Sequence, residues 1–196
     1  MNKHAVLSLL LSLFVGASVA WGDGASSGRL RSVQADFTQE KHLKILARPL
    51  ISRGTLTFQA PQSLRWEYLH PIHTVLLLHD GRIDKLIERD GRFEQDNGSG
   101  VDAMRIVLQD IGSWLDGRFS DNPVFQVSRP SERKVVLTPK EQGMQAVISR
   151  IELHLGAQEG VVERIAIVEG EEAATELTFS RVVLNEKIPA QRFAAP

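Results

Sequence analysis

Two-residue alternation of apolar and polar side chains runs through most of this 196-residue sequence and limits what it can fold into. Val33, Ala35 and Phe37 alternate with Gln34, Asp36 and Thr38. Leu56 and Phe58 alternate with Thr55 and Thr57, and Leu64, Trp66 and Tyr68 with Arg65 and Glu67. Successive side chains of a strand point to opposite faces, so such a chain builds antiparallel sheet with one apolar face and one wet face. Asp80-Gly81 and Asp90-Gly91 are hairpin-turn dipeptides that bracket a strand from Arg82 to Arg89. Farther on, Val147, Ser149, Ile151, Leu153 and Leu155 share a face opposite Arg150, Glu152 and His154. Ile165, Ile167, Leu177, Phe179 and Val183 continue the pattern. The alternation predicts about ten strands, mostly in meander order.

One segment breaks the rhythm. From Val101 to Leu115 apolar residues fall at positions 101, 104, 108, 111 and 115, the spacing of an amphipathic helix. Val107 and Trp114 widen its apolar stripe. Gly98-Ser99-Gly100 precedes it and Asp116-Gly117 ends it. A second, short helix is predicted around Gly28 to Ser32. The chain is therefore mainly β with some α: a large antiparallel sheet that curls, with one helix inserted midway to cover its concave face.

The opening twenty residues stand apart from this pattern. Lys3 and His4 precede an apolar run from Ala5 to Val15 interrupted only by Ser8 and Ser12, and Ser18-Val19-Ala20 sets small residues before a cleavage point. This predicts a secretory signal peptide over 1–20, a loose Gly- and Ser-rich N-terminus over 21–29 and one domain over 30–196. The alternative, a membrane anchor, needs ~20 apolar residues to cross about 30 Å of hydrocarbon, and this run is too short. The sequence has no cysteine, hence no lipidation site at a mature N-terminus, and export to a periplasm requires no disulfide.

The same lack of cysteine removes thiolate zinc sites, a cysteine nucleophile and iron–sulfur chemistry. A net charge of −1 removes a strongly electrostatic nucleic-acid binder. His70, His73 and His79 are close in sequence, but the first two straddle Pro71 and no third ligand follows at metal spacing. They read as exposed loop and strand-end side chains, and no metal or cofactor is expected. Neither a nucleophile elbow nor a phosphate-binding glycine loop is present. Glu169, Glu171 and Glu172 around Gly170 read as a solvated hairpin tip. No catalytic residue is assigned, and the chain is read as a non-enzyme, an acyl-substrate enzyme being the weakest alternative. On pattern alone, Trp66 and Tyr68 read as core aromatics, with the lining of a ligand groove as the lesser alternative.

Several blocks carry a family resemblance. Ala35-Asp36-Phe37-Thr38-Gln39 comes first and Gly54-Thr55-Leu56-Thr57-Phe58 follows. Then comes Pro61-Gln62-Ser63-Leu64-Arg65-Trp66-Glu67-Tyr68, with Pro71 and Asp80-Gly81 behind it. Over residues 33–81 this order resembles the periplasmic outer-membrane lipoprotein carriers of the LolA type. The missing lipidated cysteine separates it from the membrane-anchored receptor relative, LolB. The resemblance implies an incomplete antiparallel β-barrel, a half-barrel, covered by a helical lid. It also implies a monomer that carries the acyl chains of a lipoprotein or glycolipid from an inner-membrane exporter to an outer-membrane receptor or membrane. Phe37, Leu56, Phe58, Leu64, Trp66 and Tyr68 are then the groove residues, and Met104, Leu108, Ile111 and Leu115 the lid face. Two departures point to a divergent paralogue. Ala60 stands where the carriers often have a latch arginine, and Arg82-Ile83-Asp84-Lys85-Leu86 is more polar than the aromatic segment usual there. A lipid- or lipoprotein-sensing module that signals through a protein partner is the second reading.

Overall fold

The computed structural model describes residues 30–196 apart from 62, 80, 97–113, 115–118, 120–121, 158–160 and 172. The described chain forms β1 (Ser32–Leu43), β2 (Leu50–Gln59), β3 (Ser63–His70), β4 (Thr74–His79), β5 (Arg82–Arg89) and β6 (Arg92–Gln95). It continues with β7 (Phe125–Ser131), β8 (Lys134–Pro139), the one-turn helix α1 (Gln142–Gln145), β9 (Arg150–Leu155), β10 (Val162–Val168) and β11 (Ala173–Leu184). A 3₁₀ turn, Ala190–Phe193, lies near the C-terminus. All eleven strands belong to one sheet, in the order β6-β5-β4-β3-β2-β1-β11-β10-β9-β8-β7. Two meanders are thus joined where the first strand pairs antiparallel with the last. The sheet is open, with β6 and β7 as its edges.

Register aligns the apolar parity of each strand with its neighbour. Ala35 faces Leu56, Leu56 faces Trp66 and Trp66 faces Leu76. In the other meander Ile167 faces Ile151, and Ile151 faces Leu137. One inner face therefore carries a single core cluster from Leu78 on β4 to Phe125 on β7. Turn chemistry follows the sequence at Asp90-Gly91, where φ values of 51° and 76° fit the two left-handed positions of a tight hairpin turn.

Three sequence expectations along the strands change, and a fourth falls outside the described residues. Val183 is exposed, and Val182 and Leu184 pack on the core in its place. The cause is Arg181, at φ 52°, beside a register break in β1 between Gln34 and Asp36. The irregularity shifts the face parity by one residue, and Arg181 pairs with Asp36. Val147 is exposed because it follows α1 instead of entering β9. Leu30 to Ser32 form no helix; Ser32 opens β1. The helix expected from Val101 to Leu115 lies outside the described residues except for Trp114, which is helical and buried. Met104, Leu108, Ile111 and Leu115 are among those outside.

Gly54 is the tightest point of the sheet. A Cβ there would sit 1.9 Å from the Glu67 carbonyl oxygen and 2.8 Å from Cζ of Phe37. Glycine lets the Phe37 ring cross β2 toward Tyr68, with which it makes an edge contact at 5.2 Å. Gly54→Ala is expected to lower unfolding stability by roughly 2–3 kcal/mol, because the backbone must move to admit one methyl group. A denaturant midpoint equal to that of the wild type would refute this.

The outer face is not simply wet. Val75 and Leu77 are buried there beside Arg65 and Glu67. Arg65 donates from Nε to Glu67 Oε2 at 2.8 Å and from Nη1 to the Ala194 carbonyl at 3.0 Å, which ties the C-terminal segment over β3. His73, expected to be an exposed loop side chain, bridges Glu67 at 2.9 Å and Glu88 at 2.7 Å. With a carboxylate on each ring nitrogen, the imidazole satisfies both by being protonated. The hydrogen bond from Arg65 holds the Glu67 carboxyl down at about 2, against the opposing effect of burial. The hydrogen bond to Glu67 pushes His73 above its usual value. The His73 contribution to stability is thus complete below about pH 6.5 and disappears as pH rises through the raised value. The Glu67 contribution is present above 4.5 and disappears as pH falls toward about 2. His73→Gln should therefore be clearly less stable than wild type in urea at about pH 5.5, with the gap narrowing by about pH 9. An equal gap at both values would mean that the charge of His73 plays no part.

Candidate functional site

The inner face gathers aromatic side chains from both meanders. Phe37 packs on Trp66 with ring centroids 4.8 Å apart, and Trp66 meets Tyr68 at 6.4 Å. Trp66 also makes an edge contact with Phe179 at 6.2 Å. Trp66 and Phe179 sit on β3 and β11, three strand spacings apart, which is about 14 Å in a flat sheet. Rings that meet at 6.2 Å across that interval lean toward each other over the strands between them, as on a sheet that curls toward this face. The inner face is accordingly concave.

Phe37, Leu56, Phe58, Leu64, Trp66 and Tyr68 all lie on this face, on the three adjacent strands β1, β2 and β3. All but Tyr68 are buried, with Trp66 at 0% exposure and Leu56 at 1%. Beside them a cleft lined by Val33, Ala35, Leu56, Val161, Phe179 and Val182, among others, has a free volume of only about 10 Å³. That is room for about one water molecule, so the described side chains nearly fill the face. On the far half Trp114 is buried against Phe125, with ring centroids at 6.3 Å, and the Arg129 guanidinium lies 5.4 Å from the centre of the Phe119 ring.

Among the described residues, two polar atoms of this apolar interior lack a hydrogen-bond partner: the indole nitrogens of Trp66 and Trp114. An unmet buried donor costs on the order of 1–3 kcal/mol. The Tyr68 hydroxyl donates to Gln39 Oε1 at 2.8 Å. Burial pushes its pKa up, and the nearby Trp66 indole works against that shift without closing a hydrogen bond.

The sequence pattern locates the β1–β3 part of this surface but leaves out the second meander. Phe179, Val182 and Leu184 face the same interior. Period-two alternation could have added Phe179. Only the left-handed position at Arg181 explains the other two, and nothing in the residue type announces it.

Comparison with known proteins gives the surface a family. The family model for the outer membrane lipoprotein carrier protein LolA matches residues 28–196. No curated protein sequence matches significantly. Among solved structures, a LolA superfamily protein from Nitrosomonas europaea is similar at 11% identity, over 85% of this chain and 91% of that one, with a TM-score of 0.49. A DUF1329 family protein from Desulfovibrio piger is similar at 11% identity over 85% and 91%, with a TM-score of 0.47. A chain of the MucA/MucB complex from Pseudomonas aeruginosa is similar at 16% identity over 86% and 56%, with a TM-score of 0.35. These structural likenesses are distant, and the assignment rests on the sequence match, which spans every strand of the sheet. The chain belongs to the LolA family of outer membrane lipoprotein carriers.

Proposed function

We propose that this protein is a periplasmic carrier that holds the acyl chains of a lipoprotein or another lipid against its concave face and moves them from the inner to the outer membrane. The observation that carries this reading is the continuous apolar inner face, with Phe37, Trp66, Tyr68 and Phe179 at its centre, in a member of a carrier family. Burial contributes ~0.8 kcal/mol per methylene, so a chain of about 16 carbons resists water by on the order of 10 kcal/mol. A dry, curled face offsets that cost, and no covalent chemistry is needed.

The described side chains nearly fill the face, so cargo enters only if a cover moves or the sheet opens. Met104, Leu108, Ile111 and Leu115 are the proposed lid contacts, with Trp114 as their neighbour. Ala60 leaves that lid without an arginine latch, so closure rests on apolar contact. The unpartnered Trp66 and Trp114 donors favour a cargo with ester or amide carbonyls at the head of its chains. An inner-membrane exporter as donor, and an outer-membrane receptor or the membrane as acceptor, complete the proposed route.

Delipidated protein should take up a fluorescent fatty acid or lipopeptide. Trp66→Asp should cut that uptake at least about tenfold, because a carboxylate there must be desolvated against hydrocarbon. A far-UV spectrum of the same sample checks the fold. Full uptake by folded Trp66→Asp, or none by the wild type, would sink the proposal.

A further inference from the structure

Eight large apolar side chains are exposed among the described residues: Ile45, Leu46, Leu50, Ile51, Leu69, Ile72, Val147 and Val183. Register places seven of them at one end of the sheet. Ile45, Leu46, Leu50 and Ile51 form the tip of the β1–β2 hairpin. Leu69 near the end of β3 and Ile72 in the β3–β4 turn lie at the same end because Arg53 faces His70. Val147 joins them because the Ser149 amide donates to the Val168 carbonyl at 2.7 Å, and Val168 pairs near the start of β11. The eighth, Val183, is near the opposite end.

The hairpin tip has a particular chemistry. From Lys41 to Arg53 the sequence contains four Lys or Arg residues and no acid, in a protein whose net charge is −1. Lys41 is bridged to Glu169 at 3.1 Å and His42 lies 3.7 Å from Glu40. Arg48 and Arg53 are exposed, and no acidic residue among the described ones pairs with them. β2 also runs past its last β3 partner at Arg53, so Leu50 and Ile51 have no strand beside them on that edge. Ile45 is 90% exposed, the most of the eight.

We propose that this end of the protein docks on the surface of a membrane that contains anionic phospholipid, with the β1–β2 tip inserted shallowly among the headgroups. Clustered exposed apolar side chains mark an interaction surface. Arginine beside them, with no acid in the segment, complements an anionic lipid surface. A narrow projecting tip also suits shallow insertion better than the broad, flat area of about 1,000 Å² that a stable protein interface needs. The docking is independent of whether the concave face carries acyl chains.

Cosedimentation of the full chain with vesicles tests it. Wild-type protein should bind vesicles of phosphatidylethanolamine and phosphatidylglycerol at least about tenfold better than vesicles of phosphatidylcholine, and weaken severalfold in about 0.5 M salt. The double variant Ile45→Asp, Ile51→Asp should lose that binding at least about tenfold, and Arg48→Glu, Arg53→Glu should lose its salt-sensitive part. All four positions are exposed, so the fold is retained, which a far-UV spectrum checks. Absence of wild-type binding to anionic vesicles would overturn the proposal and leave the tip to a protein partner. Undiminished binding by the aspartate variant would overturn it as well. Fatty-acid uptake by the same samples reads the carrier function separately: vesicle binding without uptake keeps the docking and removes the carrier.

Discussion

The pairing of β1 with β11 is the constraint on which the rest of the structure depends. It joins the first strand to the last, across about 140 residues of chain. Such a contact carries a high loop-closure cost and must be repaid by burial. The repayment is visible on β1. Phe37 faces Gly54 on one side and Phe179 on the other, and its ring also touches Trp66. Without this seam the two meanders would be separate sheets, each with a bare apolar face. With it they share one concave surface.

The seam also explains why the aromatic cluster lies at the centre. Trp66 and Phe179 are brought together because β2 and β1 join β3 to β11 in one sheet and the two rings lean toward each other over them. Gly54 makes the curl possible locally by removing the Cβ that would hold Phe37 away from the β3 backbone. Close packing of aromatic rings over a glycine is a small, specific device, and it sits within the block 33–81 that carries the family pattern.

Much of this was legible from alternation alone. The parity of Val33 to Phe37, Leu56 to Phe58 and Leu64 to Tyr68 gives the correct face, because uninterrupted strands keep period two. Legibility ended where the strand was irregular. At Arg181 a residue with no special propensity takes a left-handed conformation, and every side chain after it changes face. It ended again where the partner is remote. Arg65 and Glu67 look solvent-facing by parity, yet the carbonyl that covers them comes from Ala194 at the far end of the sequence. Local pattern carries no information about a tail that returns.

That returning tail divides the sheet mechanically. β3 and β4 are buried on both faces, with Trp66 and Leu76 inside and Arg65, Glu67, Val75 and Leu77 outside. The edges differ: β5 is only partly buried along its length, β6 is mostly exposed, and β7 is exposed after Phe125 and Val127. Burial on two faces resists bending, because any change in curvature must repack both layers. Burial on one face does not. An open sheet with a doubly covered centre and singly covered edges thus combines a stiff floor with a compliant rim, where a closed barrel would have only the floor. The exposed β1–β2 tip continues into β2, the direct neighbour of the doubly buried β3, and lies far from both edges in the strand order, so a contact made there bears on the centre of the sheet more directly than on either edge.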